Sequence, residues 1–185
     1  MRKRIFDVLF SCLCLIFLSP LLVFLAIAVK ISSRGPVFFV HKRVGRYGRE
    51  FSIYKFRTMV ANAPVIGPVL TDRNDARITR FGRWLRQWSL DELPQFFNVL
   101  KGNMSVVGPR PEIPSIVATY DMWQKKVLAV RPGITGLSQT SGRAELSIPT
   151  KLRRDIYYIR HQSLWMDLKI TGKTLIEVFR RTGAF

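Results

Sequence analysis

Acidic side chains are scarce in this chain: 12 Asp and Glu stand against 30 Lys and Arg, a formal net charge of +18 over 185 residues. Such an excess calls for a polyanionic partner, whether nucleic acid, an anionic membrane surface or a phosphorylated substrate. Cysteine is rarer still. Cys12 and Cys14 lie two residues apart in an apolar run, too close to staple a fold, which points to a reducing compartment. His41 and His161 are the only histidines and lie far apart, which argues against a zinc site. The glycine-rich stretches lack both the Walker-type and the Rossmann spacing. Internal repeats and low-complexity tracts are absent. A hydrophobic content of 48% excludes a disordered basic tail. The length suits one domain with an appendage.

The longest apolar run is Val8 to Val29, broken only by Ser11, Ser19 and the two cysteines. It is about long enough to span a bilayer. No small-residue cleavage site marks it as a secretory signal. Ser19-Pro20 divides it near the middle into arms of roughly ten to twelve residues, each about half a bilayer long. Arg2, Lys3 and Arg4 precede the run and Lys30 and Arg34 follow it, so the positive-inside rule draws both ends to the cytoplasmic side. A re-entrant helix-break-helix satisfies both constraints, although a kinked spanning helix stays open.

Residues 1–34 are therefore read as a membrane segment with basic flanks, and 35–185 as a cytosolic domain resting on the interface. Val37 to His41 and Phe51 to Phe56 predict a hairpin closed by Gly45-Arg46-Tyr47-Gly48. Asn62 to Asp72, with Pro64, Gly67 and Pro68, predicts a loop. Asp75 to Trp88 predicts a helix, with Ile78, Phe81, Trp84, Leu85 and Trp88 at helical spacing and arginines between them. Tryptophan beside arginine suits a helix lying in a membrane interface, as well as an ordinary amphipathic helix on a core. Ser115 to Val130 predicts another helix. Arg131-Pro132-Gly133-Ile134-Thr135-Gly136 predicts a loop whose glycines bring backbone amides close to a ligand. Leu152 to His161 and Leu164 to Phe179 predict two basic, aromatic helices, the last ending at Gly183. The class is α+β, mostly helical.

Against the shortage of acids, Asp91-Glu92 stands out. The pair lies between a tryptophan-rich basic segment and Gly108-Pro109-Arg110-Pro111. Ser89 and Glu92 fit a capping box, and Pro94 pushes Leu93 out of helical geometry before a short helix from Pro94 to Lys101 that stops at Gly102. Both acids could simply cap that helix. Bracketed by arginines, they equally suit a metal-bound, anionic substrate.

Lys55-Phe56-Arg57-Thr58-Met59, Ser89-Leu90-Asp91-Glu92-Leu93-Pro94-Gln95, Asn98-Val99-Leu100-Lys101-Gly102, Met104-Ser105, Gly108-Pro109-Arg110-Pro111 and Arg131-Pro132-Gly133-Ile134-Thr135-Gly136 occur in that order. With the Ser19-Pro20 break, this set resembles the bacterial sugar transferases, the monotopic phosphoglycosyl transferases, over nearly the whole chain. The length is similar to that family's minimal catalytic form, without the N-terminal spanning helices of larger members. The resemblance implies a monotopic protein with a re-entrant helix and interfacial amphipathic helices, on the cytoplasmic face of a bacterial inner membrane. It implies transfer of a sugar-1-phosphate from a UDP-sugar to a polyprenyl phosphate such as undecaprenyl phosphate, with Mg²⁺ and loss of UMP. It makes Asp91 the nucleophile and Glu92 the Mg²⁺ holder. Lys55, Arg86 and Arg110 become phosphate contacts, and Arg131, Gln139 and Arg143 nucleotide or sugar contacts. Membrane lipid is a partner, nucleic acid is not, and a homodimer stays open.

The residue types suit that chemistry. A carboxylate can attack phosphorus and split one transfer into two. Mg²⁺ needs one or two carboxylates plus substrate phosphates. Arg110, pinned between prolines, presents a planar guanidinium to phosphate oxygens. Two departures from the family occur. Val60-Ala61-Asn62-Ala63-Pro64 lacks the acid that often follows Met59, and Leu137-Ser138-Gln139-Thr140 replaces the commoner Leu-Ala-Gln-Val. The rival readings are a membrane-anchored nucleic-acid binder, for which no recognised motif is present, and a non-catalytic scaffold.

Overall fold

Two short helices open the chain in the computed structural model, which describes residues 2–63, 75–141 and 146–180. α1 is Arg2–Phe17 and α2 is Ser19–Ser32, bent by 64° at their junction. The break has a local cause. Pro20 has no N–H to offer the Ile16 carbonyl, and the Ser19 hydroxyl donates to that carbonyl instead, at 2.8 Å. Among the described residues no single helix is long and apolar enough to cross a bilayer, whereas the bent pair together is. Ile5, Leu9, Leu13, Ile16, Val23, Phe24, Ile27 and Ile31 are all at least half exposed, so the pair's outer face is apolar and uncovered by protein.

The hairpin forms as predicted. β1, Phe38–Val44, pairs antiparallel with β2, Glu50–Phe56, from Phe38↔Phe56 to Val44↔Glu50. β1 runs further than the predicted stop at His41, ending on buried Val44. Tyr47 and Gly48 close the turn at φ 59° and 76°. β2 has β1 on one edge. On the other, Asn98 donates Nδ2 to the Ser52 carbonyl at 2.7 Å and accepts the Tyr54 N–H at 3.0 Å. Asn98 is fully buried on α4, Gln95–Leu100, so this side chain fixes β2 to α4.

The helix predicted over Asp75–Trp88 is shorter. α3 is Arg80–Gln87, and Thr79 caps it by accepting the Gly82 N–H at 2.8 Å. Asp75 accepts both the Arg77 N–H and its guanidinium, a local arrangement that competes with helix. Ile78 is instead paired with Met59 in a β-bridge. Gly82 permits this packing, because a β-carbon there would stand 2.0 Å from the Thr58 carbonyl oxygen.

The capping box does not form. Ser89 adopts φ 53° with no side-chain cap, Leu90–Glu92 makes one 3-10 turn, and Glu92 reaches elsewhere. Leu93 is helical (φ −53°, ψ −37°) despite Pro94, because the 3-10 turn continues directly into α4.

The glycines of 131–136 also behave differently from prediction. Gly133–Thr135 is a strand, β4, parallel to β3, Ser105–Val107. A β-carbon on Gly133 would lie 2.1 Å from the Gly108 nitrogen, so this glycine brings backbone against backbone within a sheet. The helix predicted over Ser115–Val130 is interrupted. α5 is Pro114–Ala118, and Gln124–Ala129 is 3-10 helix. Between them Gln124 accepts the Asp121 N–H through its side chain, forming a turn, and Tyr120 is buried. α6, Ile148–Arg160, begins earlier than Leu152, with Pro149 in its first turn. α7 is Leu164–Arg180. Pro64, Gly67, Pro68 and Gly183 lie outside the described residues.

Phe6 and Phe10 of α1 pack on a core of Ile53, Val99, Met104, Val106, Val107, Tyr158 and Ile170. Leu25 and Val29 of α2 pack with Phe56 and Leu85. Tyr120, Val127 and Leu152 make a third cluster. The first two helices are thus continuous with the cores that carry β2, α3 and α4.

Asn98→Ala strips two buried backbone groups of their partner. A loss of about 2–4 kcal/mol is expected in denaturant unfolding of the detergent-solubilised protein. A change below about 0.5 kcal/mol would contradict the pinning of β2 by this side chain.

Candidate functional site

Three pieces of chain converge on Asp91-Glu92. The first is the end of β2, where Lys55 donates Nζ to Glu92 Oε1 at 2.6 Å. The second is the segment after β3, where Arg110 donates Nη2 to the same oxygen at 3.3 Å. The third is the last turn of α3, where Arg86 donates Nε to the Thr58 hydroxyl at 2.9 Å and interacts by charge with both acids. Asp91 is 8% exposed, whereas the Arg110 side chain is 48% exposed. The site therefore has a buried carboxylate floor and a partly open cationic rim.

The two acids have opposite environments. Burial pushes the Asp91 carboxyl up, Lys55 pulls it down, and the negative charge of Glu92 adds to the upward push. Burial also opposes ionisation of Glu92, but Lys55 and Arg110 outweigh it and hold this carboxyl at about 2. Glu92 is thus a fixed anion, and Asp91 is the acid whose charge is poorly compensated.

Five expected residues, Lys55, Arg86, Asp91, Glu92 and Arg110, come together. Two others are engaged elsewhere. Arg131 donates Nε to the Gly102 carbonyl at 2.8 Å, and Gln139 donates Nε2 to the Ile134 carbonyl at 3.0 Å. Gln139 Oε1 is buried without a hydrogen-bond partner. Arg143 lies outside the described residues. Ser19 and Pro20 form the break between α1 and α2.

Two contributors escaped sequence reasoning. Thr58 holds Arg86, and its place in the Lys55–Met59 motif was the available signal. Arg43 donates Nη1 to the Pro111 carbonyl at 3.2 Å and lies 3.7 Å from Glu112, so it steadies the segment bearing Arg110. Nothing in the basic run Lys42-Arg43 distinguishes it from a solvated charge.

Among the described residues no group of three or more His, Cys, Asp or Glu could enclose a metal. The adjacent carboxylates nonetheless fit Mg²⁺, a hard cation that takes one or two carboxylates and completes its shell with water and phosphate. Chemically, the arrangement offers a buried oxygen nucleophile, a second fixed carboxylate and three cations for phosphate oxygens.

Known proteins resemble this chain in sequence. A family model described as bacterial sugar transferase matches residues 1–181. The chain is 42% identical over 198 residues to the undecaprenyl-phosphate galactose phosphotransferase of Salmonella typhimurium, covering 99% of this chain and 41% of that protein. It is 44% identical over 196 residues to the undecaprenyl-phosphate glucose phosphotransferase of Komagataeibacter xylinus, covering 99% and 37%. It is 39% identical over 198 residues to the exopolysaccharide production protein ExoY of Sinorhizobium fredii, covering 99% and 88%. The chain therefore spans about two fifths of the length of the first two and most of the third. By the matched model and by identity along its length, this chain belongs to the bacterial sugar transferase family.

Proposed function

We propose that this chain moves a sugar-1-phosphate from a UDP-sugar to a polyprenyl phosphate, with undecaprenyl phosphate as the carrier, at the cytoplasmic face of a bacterial inner membrane. The product would be the first lipid-linked intermediate of a glycan such as an exopolysaccharide. The observation that carries this reading is the buried Asp91 carboxylate beside Glu92 and ringed by Lys55, Arg86 and Arg110, all but Arg86 lying in stretches that resemble the family.

In the first step an Asp91 carboxylate oxygen attacks the phosphorus that bears the sugar. A new O–P bond forms, the bond to the UMP oxygen breaks, and its electron pair leaves with UMP. In the second step an oxygen of the polyprenyl phosphate attacks the same phosphorus, and the Asp91 carboxylate departs restored. Lys55, Arg86 and Arg110 hold phosphate oxygens and offset the charge that builds on them. Glu92 would hold Mg²⁺, which supplies further charge neutralisation when bound. Burial of Asp91 leaves the attacking oxygen little solvated.

The bent α1–α2 pair, with its uncovered apolar outer face and positive charge at both ends, would enter and leave the bilayer on one side. α3, with Trp84 partly exposed beside Arg80 and Arg83, would lie in the interface. A soluble nucleotide and a lipid phosphate would then reach Asp91 at the same boundary.

Asp91→Asn is expected to lower UMP release by about a thousandfold or more, in an assay with Mg²⁺, undecaprenyl phosphate and a panel of UDP-sugars. Full activity in that variant would remove Asp91 as nucleophile. Unchanged membrane association of the inactive variant would separate an enzyme from a scaffold.

Asp91 must be ionised to attack, so turnover falls as pH drops through its raised pKa. Lys55 is the cation that most lowers that pKa. Lys55→Met should therefore move the acidic limb of the pH–rate profile to higher pH, and a limb that stays put or moves down contradicts this placement of the charges. Pro20→Leu restores an N–H at the break and should favour a continuous spanning helix. Cysteine labelling at residue 2 is expected to show that end crossing to the outer side, and a cytoplasmic residue 2 in this variant would count against the re-entrant reading.

A further inference from the structure

A second set of buried charges lies at the start of α1, and the proposed transfer chemistry does not use it. Asp7 is 2% exposed and Asp167 is 0% exposed. Lys3 donates to Asp167 at 2.7 Å and stands 3.9 Å from Asp7. The Tyr158 hydroxyl donates to the other Asp167 oxygen at 2.5 Å. Arg4 donates to the carbonyls of Val99 and Leu100 at 2.7 and 3.1 Å, capping the end of α4 that leads away from Asp91-Glu92. One end of a membrane-type helix is thus hydrogen-bonded into the elements on either side of the site.

Asp7 makes the most specific of these contacts. Its Oδ1 accepts the Val106 N–H at 3.0 Å and lies 3.0 Å from the Ser105 hydroxyl, whose proton it shares with the Val107 carbonyl at 2.9 Å. β3 belongs to a two-stranded sheet, with β4 on one edge. Ser105 and Gly108 direct their N–H groups at that neighbour, donating to the carbonyls of Pro132 and Thr135. The Val106 N–H points the other way, and there the Asp7 carboxylate takes the place of a missing strand.

The chain beyond Val106 is stiff. A β-carbon on Gly108 would meet the Arg131 carbonyl oxygen at 2.5 Å, so the backbone there has no slack. The Pro109 carbonyl accepts the Gly133 N–H at 2.8 Å, and Arg43 holds the Pro111 carbonyl. Arg110 sits between these two prolines, so a shift of β3 is carried to its guanidinium rather than absorbed.

We propose that Asp7 is a positioning residue: by closing the open edge of β3 from within α1, it holds Arg110 on Glu92. The first helix is then part of the frame of the active site and not merely an anchor. This rests on the roles proposed for Glu92 and Arg110 in the transfer.

The test uses the full chain in lipid nanodiscs, with Asp7→Ala and Asp7→Asn. Asn keeps an acceptor oxygen for Ser105 and Val106, whereas Ala keeps none. Amide hydrogen exchange over 105–111 should quicken by about tenfold in Asp7→Ala, with the hairpin and α6 unchanged, and should stay near wild type in Asp7→Asn. Unchanged exchange over 105–111, or uniform loosening of every element, overturns the proposal. In the transfer assay kcat should fall about tenfold in Asp7→Ala and largely recover in Asp7→Asn. In an Arg110→Ala background the added loss from Asp7→Ala should shrink below about twofold. An equal loss in both backgrounds overturns action through Arg110. If the wild-type chain releases no UMP from any donor, the proposed function falls, and the exchange measurements alone decide the positioning role.

Discussion

Among the described residues, neither sheet has a third strand. Each consists of two strands, and each must find hydrogen-bond partners for a buried open edge. A buried backbone group without a partner costs about 1–3 kcal/mol, so the edges cannot be left bare. Side chains from helices meet the need. Asn98 of α4 serves β2, and Asp7 of α1 serves β3. Both strands lead to site residues, Lys55 at the end of β2 and Arg110 just beyond β3. Lys55 and Arg110 thus each follow a strand whose second edge is held by a helix side chain.

The second organising fact is electrical. Two neighbouring carboxylates in one environment would share a titration and repel each other. Here Glu92 takes the hydrogen bonds of both Lys55 and Arg110, whereas burial outweighs the pull of the nearby cations on Asp91. The sequence places the pair together, and the geometry makes the two members unequal. That inequality is what the proposed division of labour between a constant charge and a nucleophile requires.

Much of this was legible in the chain itself. The break at Ser19-Pro20, the hairpin and the last two helices arise from apolar periodicity and proline chemistry, which act over a few residues. The convergence of Lys55, Arg86, Asp91, Glu92 and Arg110 came from resemblance to a family and not from spacing. The failures share one cause. The capping box at Ser89, the long helix over 75–88 and the loop over 131–136 were all local readings that tertiary contacts overrode. Glu92 had better partners than its own helix start, Ile78 had Met59, and Gly133 had Gly108. Arg43 and Asp7 gave no local signal, since their roles exist only through residues far along the chain.

Gly82 brings α3 against the segment beyond β2, with no room for a β-carbon beside the Thr58 carbonyl. One turn further along the same helix, Arg86 rests on the Thr58 hydroxyl. Any side chain at 82 would lift the helix and carry the arginine with it. On the role proposed for Arg86, lesions at this position would be grouped with those of the arginine itself in a screen scored by turnover, although glycine has no side chain with which to touch a substrate. Absent matter, here a single missing methyl, can be as strict a requirement for the placement of Arg86 as the hydrogen bond that holds it.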